Sequence, residues 1–310
     1  MLYKPNGLFI LKSKDNGVNM EKIIEILKTK LTEEELFSIA KLLVSCYEPF
    51  AFKQKAWMTL ESVFPEKCSM SLKELQKSYI PNEIYNAVIF KYYKGESIVK
   101  YNLALENINK DDEVAIFELN INSSRLDFSR INGESYAFEI KTELDTTDRL
   151  DKQISDYEKV FENIYVVAHQ VHLKKVKKIV PRKCGIITYE ICEGICSFYE
   201  ERAASLNKSI TKDAQISAFN SEDYAFILKN NGVKKLPKYK DDRERMVRSL
   251  FSKEEFKDVF KTAMKNKNKN RWNYVKNNID TILPIDIQNF FTYMPKPEIM
   301  YYKSSSIDLI

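Results

Sequence analysis

Residues 125–141 read RLDFSRINGESYAFEIK, and the alternation within this stretch decides the fold of the middle of the chain. On an extended strand, successive side chains point to opposite faces. Leu126 and Phe128 therefore share one face, and Arg125, Asp127 and Ser129 share the other. Asn132-Gly133 is a hairpin signal because both residue types tolerate positive φ. Beyond it the alternation resumes, with Tyr136, Phe138 and Ile140 on one face and Ala137, Glu139 and Lys141 on the other. A tight turn aligns the two strands, so one side of a small sheet is apolar and the other gathers Asp127, Glu139 and Lys141.

Two carboxylates brought together repel, and neither tolerates desolvation unpaired. A divalent cation resolves this by taking oxygen ligands from both, and Mg2+ suits a site that keeps waters and a phosphate in its shell. Such an ion lowers the pKa of a bound water and stabilises charge on phosphate oxygens. Lys141, one pleat from Glu139, is expected to orient that water or to neutralise developing negative charge. The predicted chemistry is hydrolysis of a phosphodiester.

Outward from this hairpin, a helix over residues 83–93 capped by Asn82 is predicted, then a strand over 114–121 and the two strands already described. A helix over 146–161 and a short buried strand over 164–168 follow. The expected architecture is α/β, with helical regions at 1–80 and 196–310 flanking a core at 81–195. In the first flank, Ile23, Ile24 and Leu27 form a helical stripe, and Thr32–Glu35 and Ser71–Glu74 have the form of capping boxes. In the last, Ser252–Glu255 is another such box and Pro284 stops a helix.

The D-x11-E-x-K spacing of Asp127 with Glu139-Ile140-Lys141 resembles the PD-(D/E)XK nuclease superfamily, and the element order is similar to its restriction-endonuclease-like αβββαβ core. Phe138–Lys141, Asp145, Arg149-Leu150, Gln153 and Tyr157 resemble its phage-related and bacterial members. Gln153 and Tyr157 also match the Q-x-x-x-Y element of the RecB-like branch. The proline of the family name is replaced by Leu126. The resemblance covers residues 82–170 and implies a Mg2+- or Mn2+-dependent deoxyribonuclease with a role in phage defence or DNA processing. It implies that Asp127 and Glu139 bind metal, that the Ile140 carbonyl adds a ligand, and that Gln153 and Tyr157 position the scissile strand. Glu83 and Glu118 are both candidates to complete the metal site. DNA is the expected substrate, RNA being less common for this fold. A non-catalytic nucleic-acid-binding module with the same fold is the alternative.

Arg149, Gln153 and Tyr157 fall at i, i+4 and i+8, one helix face that is expected to look toward the site and the DNA backbone. Two basic clusters are further candidates for that backbone. Lys174, Lys175, Lys177 and Lys178 form one; Lys265, Lys267, Lys269 and Arg271, followed by Trp272 and Tyr274, form the other. Lysines on phosphates with aromatics to stack on bases make a physically sound interface, and solvated helix faces explain such runs equally well. The helical flanks are expected to select a substrate, a protein partner or a second copy of the chain.

Composition narrows the remaining classes. With 7 glycines in 310 residues there is no G-x-G-x-x-G or G-x-x-x-x-G-K-[ST], which disfavours nucleotide-driven chemistry. A net charge of +5 permits a nucleic-acid partner without arguing for one. Lys4, Lys12, Lys14 and Asp15 interrupt the opening, so no signal peptide is read. No stretch approaches the roughly 20 apolar residues of a membrane helix. Five cysteines without a secretion signal fit reduced thiols in a cytoplasm. Cys192 and Cys196, spaced i, i+4, suit apolar positions of a helix better than a cluster needing four cysteines. His169 and His172 lack acidic or cysteine partners at metal-ligand spacing and read as strand-end packing or a phosphate contact.

Overall fold

Six strands form one sheet in which sequence order is also spatial order. They are β1 (Val114–Ile121), β2 (Ser124–Asn132), β3 (Glu134–Lys141), β4 (Asn163–His169), β5 (Gly185–Cys192) and β6 (Ile195–Arg202). The first three pair antiparallel, and β3–β4 and β4–β5 pair parallel. The computed structural model from which this is read describes residues 14–192 and 194–301.

The helices are α1 (Lys14–Lys28), α2 (Glu33–Cys46), α3 (Lys53–Val63), α4 (Ser69–Gln76), α5 (Pro81–Tyr92) and α6 (Glu96–Ile108) before the sheet. Within and after it come α7 (Leu150–Glu158), α8 (Leu173–Ile179), α9 (Lys212–Ser217), α10 (Ser221–Asn230), α11 (Lys240–Leu250) and α12 (Lys253–Asn278). Last are α13 (Ile287–Tyr293) and α14 (Pro297–Met300). The chain is thus mixed α/β, with helices on both sides of the sheet. Among the described residues, no helix is long and apolar enough to cross a membrane.

The described residues divide into two compact units, 103–190 with 197–273, and 14–102 with 191–192, 194–196 and 274–301. This partition differs from the three consecutive regions expected at 1–80, 81–195 and 196–310. Helix α5, placed in the core by sequence, belongs to the second unit, and the helix that leads directly into β1 is α6. The region after 196 is not purely helical either, since β6 extends the sheet to Arg202. Cys192 and Cys196 lie on strands, which corrects their expected helical spacing.

The second unit packs Leu27, Leu36, Leu43, Trp57, Leu60, Leu75, Ile84 and Val88 into one apolar cluster. The Thr32–Glu35 capping box forms as expected, whereas Ser71 lies inside α4, buried, and caps nothing. The unit also buries a carboxyl group, Asp286, which is fully enclosed. The Tyr47 hydroxyl lies 2.9 Å from both of its oxygens, with the Tyr301 hydroxyl at 3.2 Å and Asn289 Nδ2 at 3.3 Å. Burial pushes its pKa up to about 7 despite these donors.

In the first unit the apolar sheet face is an aromatic row. Phe117 and Phe128 sit opposite each other across β1 and β2, as do Phe128 and Phe138 across β2 and β3, and Phe138 and Tyr165 across β3 and β4. Their ring centroids are 5.3, 5.9 and 5.6 Å apart. At the β2–β3 turn only Gly133 takes positive φ, +71°, where it costs least. The apex is held from outside by Lys261, whose Nζ donates to the Gly133 carbonyl at 2.8 Å.

Candidate active site

Opposite the aromatic row, the sheet face that carries Asp127 and Glu139 opens locally. The β2–β3 pairing runs from Asn132↔Glu134 to Phe128↔Phe138 and stops one residue before Asp127 and Glu139 would pair. There the Ile140 amide donates to Asp127 Oδ2 at 2.6 Å instead. On its other edge β3 stays paired with β4 through Lys141↔Ala168, so the backbone under Glu139 and Lys141 remains fixed.

Glu139 is 1% exposed and is met by three donors. Lys141 Nζ lies 2.7 Å from Oε1, Gln153 Nε2 also donates to Oε1, and the Tyr157 hydroxyl lies 2.7 Å from Oε2. Gln153 and Tyr157 stand one turn apart on α7, which puts both on the helix face toward β3. That helix is anchored by Asp156, which accepts from the hydroxyls of Ser123 in the β1–β2 turn and Ser124 at the start of β2, at 3.1 and 2.8 Å. With its amide nitrogen committed to Glu139, Gln153 turns Oε1 away; that oxygen is buried and accepts no hydrogen bond.

The electrostatics follow from this packing. Burial lowers the Lys141 pKa, but the charge and hydrogen bond of Glu139, with Asp127 and Asp145 behind them, outweigh it and raise the pKa above the ordinary lysine value. Lys141 is therefore an ammonium at neutral pH. Burial first, and the Glu139 charge second, push the Tyr157 hydroxyl well above its ordinary value, so it remains a donor.

Glu118 faces Asp127 across β1 and β2 at a break in that ladder, whose pairs step from Phe117↔Phe128 to Leu119↔Leu126. Its backbone is left-handed, φ +53°, an uncommon and costly state for a residue with a side chain. Carboxylate oxygens of Glu118 and Asp127 lie within 4.8 Å of each other, and Arg125 Nε lies 2.5 Å from Glu118 Oε2.

The other candidates scatter. Glu83 accepts from the Ile80 amide at 2.9 Å and serves as the first-turn acid of α5 in the other unit. Arg149 is exposed at the start of α7. Lys174 and Lys175 are exposed on α8, Lys175 lying 3.4 Å from Asp148. Lys267 is ion-paired with Asp223 at 2.6 Å, Lys269 is exposed and Arg271 is half-buried. Trp272 is fully buried, which removes it as a stacking surface.

Reasoning from sequence missed the surroundings of Thr142, the residue after Lys141. Asp145 Oδ2 accepts from both the Thr142 amide and its hydroxyl at 2.7 Å. His172 Nε2 lies 2.9 Å from the Thr142 carbonyl. His169 approaches Glu143 at 3.9 Å.

A family model described as bacteriophage P4 protein cII matches residues 92–290. No curated protein matches the chain. Among solved structures, a protein of unknown function from Silicibacter pomeroyi, SPO1766, aligns at 13% identity over 45% of this chain and 93% of its own, with a TM-score of 0.29.

Proposed function

The chain belongs to the bacteriophage P4 protein cII family, and we propose that it is a metal-dependent nuclease that hydrolyses DNA phosphodiester bonds on a restriction-endonuclease-like core. The observation that carries this reading is the convergence of Lys141, Gln153 and Tyr157 on Glu139, with Asp127 and Glu118 adjacent on the same sheet. The order α6, β1, β2, β3, α7, β4 supports the core assignment, being the order the resemblance implies.

The donor set fits a hard divalent cation. Carboxylate oxygens of Glu118 and Asp127 within 4.8 Å of each other are the hard oxygen ligands such an ion takes. Asp127 and Glu118 would hold Mg2+ or Mn2+. Glu139, the carboxylate that Lys141, Gln153 and Tyr157 orient, would be the further ligand that the resemblance implies. A bound divalent ion supplies Lewis acidity to water and to a phosphate oxygen.

The chain's own residues supply the rest. Lys141, held as an ammonium, stabilises negative charge on the phosphate and does not serve as a base. Tyr157 and Gln153 hold Glu139 in place, and the open Gln153 Oε1 can accept a hydrogen bond from the attacking water. The exposed lysines of α8 offer phosphate contacts beyond the scissile bond.

The test is incubation of the purified chain with single-stranded, linear and supercoiled DNA, and with RNA, in Mg2+ or Mn2+. The Asp127→Ala and Lys141→Ala variants run beside it. Metal-dependent cutting that both variants lose supports the assignment. DNA binding without cutting by the wild type overturns it in favour of a non-catalytic binding module.

A further inference from the structure

We infer that His172 and Asp145 are positioning residues for Lys141, acting through a clamp on the peptide units of Thr142. The inference rests on the nuclease reading for its consequence in catalysis, but the clamp itself stands on geometry.

Thr142 is 3% exposed and every polar atom it has is engaged. Its amide and hydroxyl both donate to Asp145 Oδ2 at 2.7 Å, and its hydroxyl in turn accepts from the Leu144 amide at 3.3 Å. Its carbonyl accepts twice, from the Asp145 amide at 3.2 Å and from His172 Nε2 at 2.9 Å, which fills both lone pairs. Since a carbonyl only accepts, His172 must carry its proton on Nε2.

The amide of Thr142 belongs to the same rigid peptide plane as the carbonyl of Lys141. Fixing that plane fixes ψ of Lys141, and hence the direction in which its side chain leaves β3. The clamp also comes from two directions in sequence. Asp145 is three residues on, closing a local turn, whereas His172 sits in the short 3-10 turn Gln170–His172 just after β4. Strand β4 pairs with β3 up to Lys141↔Ala168, so the histidine ties off the ladder where β3 ends. Without it, Lys141 would be the last paired residue of a strand free to fray. A misplacement of about 1 Å in a catalytic group can cost about a hundredfold in rate.

The decisive comparison is His172→Leu against His172→Gln. The glutamine amide nitrogen reaches about where Nε2 stands and donates to the same carbonyl; leucine fills the space without donating. The structure predicts a kcat about 10- to 100-fold lower for H172L, with KM for DNA and the melting temperature near wild type, and recovery to within about threefold for H172Q. Thr142→Val against Thr142→Ser gives the same contrast from the hydroxyl side, should H172L fail to fold. A readout independent of cleavage is amide hydrogen exchange at Thr142, whose N–H the clamp holds on Asp145. Exchange there should quicken in H172L and in T142V, and stay near wild type in H172Q and T142S. Equal kcat and equal Thr142 exchange in H172L and H172Q, or in T142V and T142S, overturn the inference. If the wild type cuts nothing while the exchange responds as expected, the nuclease reading falls and the clamp stands.

Discussion

The Tyr157 hydroxyl sits 2.7 Å from Glu139 Oε2 and 3.0 Å from the Arg125 carbonyl, so α7 and the two central strands meet at one hydrogen atom. Only one of these acceptors can take the proton at a time, and the charged one is the stronger. Tyr157→Phe removes the donor and leaves a 1%-exposed carboxylate with one partner fewer. Loss of about 2 kcal/mol of stability is expected, read from denaturant unfolding. Because burial and Glu139 hold the wild-type hydroxyl protonated, no basic limb of the rate profile should vanish in the variant. A Tyr157→Phe protein as stable as the wild type would show that the hydroxyl does not order Glu139.

Glu118 supplies a test whose sign is unusual. In an ordinary strand, glycine is about 0.5–1 kcal/mol worse than alanine, because it loses more backbone freedom on folding. At φ +53° the order should invert, since any side chain there carries about 1–2 kcal/mol of strain. Glu118→Gly and Glu118→Ala both remove the carboxylate and its ion pair with the mostly exposed Arg125, so their difference isolates the backbone. Glu118→Gly is expected to be the more stable of the two by about 1 kcal/mol. Both should lose metal-dependent cleavage. A more stable alanine variant would mean the left-handed conformation is not held in solution.

How much of this was legible varies residue by residue. The face shared by Asp127, Glu139 and Lys141 follows from a period of two, because the opposite face is a buried aromatic row and a one-residue slip would expose it. The Gln153–Tyr157 pair follows from helical spacing in the same way. The helix leading into β1 was hidden for a different reason. Helix α5 is buried nearly all round, so its pattern reads like that of a core helix, and α6, starting at Glu96 after Gly95, went unread. Strand β5 is a short apolar run, which periodicity alone does not separate from helix, and β6 is a mostly exposed edge ending in Glu200, Glu201 and Arg202 with no clear alternation. Charge partners were hidden because they are remote in sequence. Lys267 finds Asp223 and Lys265 finds Asp112, and no local pattern announces either. The same holds for His172, whose partner Thr142 lies on the neighbouring strand's exit.

Those pairings separate the two lysine clusters. Lys174→Glu with Lys175→Glu, both exposed on α8, should weaken DNA binding and flatten its salt dependence by about 0.9 in log–log slope for each phosphate no longer neutralised. Lys267→Glu should act on the fold instead. It replaces the ammonium that meets the 10%-exposed Asp223 at 2.6 Å with a like charge, at a cost of about 1–3 kcal/mol. Filter binding across salt concentrations, beside thermal unfolding, distinguishes these effects. Equal loss of affinity in both variants at unchanged stability would put α12 on the DNA surface after all.

Asp286 ties pH to the stability of the helical unit. Its folded-state pKa, raised by burial to about 7, lies above the roughly 3.9 of an unfolded aspartate. Below about pH 4 both states are protonated and the site contributes its full stability. As pH rises from about 4 to about 7 the unfolded carboxyl ionises while the folded one keeps its proton, and stability is lost until both are ionised. Three units at 1.36 kcal/mol each bound the loss at about 4 kcal/mol, an order-of-magnitude figure for so enclosed a group. Asp286→Asn keeps an oxygen that accepts from Tyr47 and Tyr301 but cannot ionise. Its stability relative to wild type should therefore improve steadily between about pH 4.5 and about pH 7.5 in calorimetric unfolding. A difference that is the same at both ends would mean that the carboxyl ionises alike in the folded and unfolded chain, and that the three donors around it offset its burial completely.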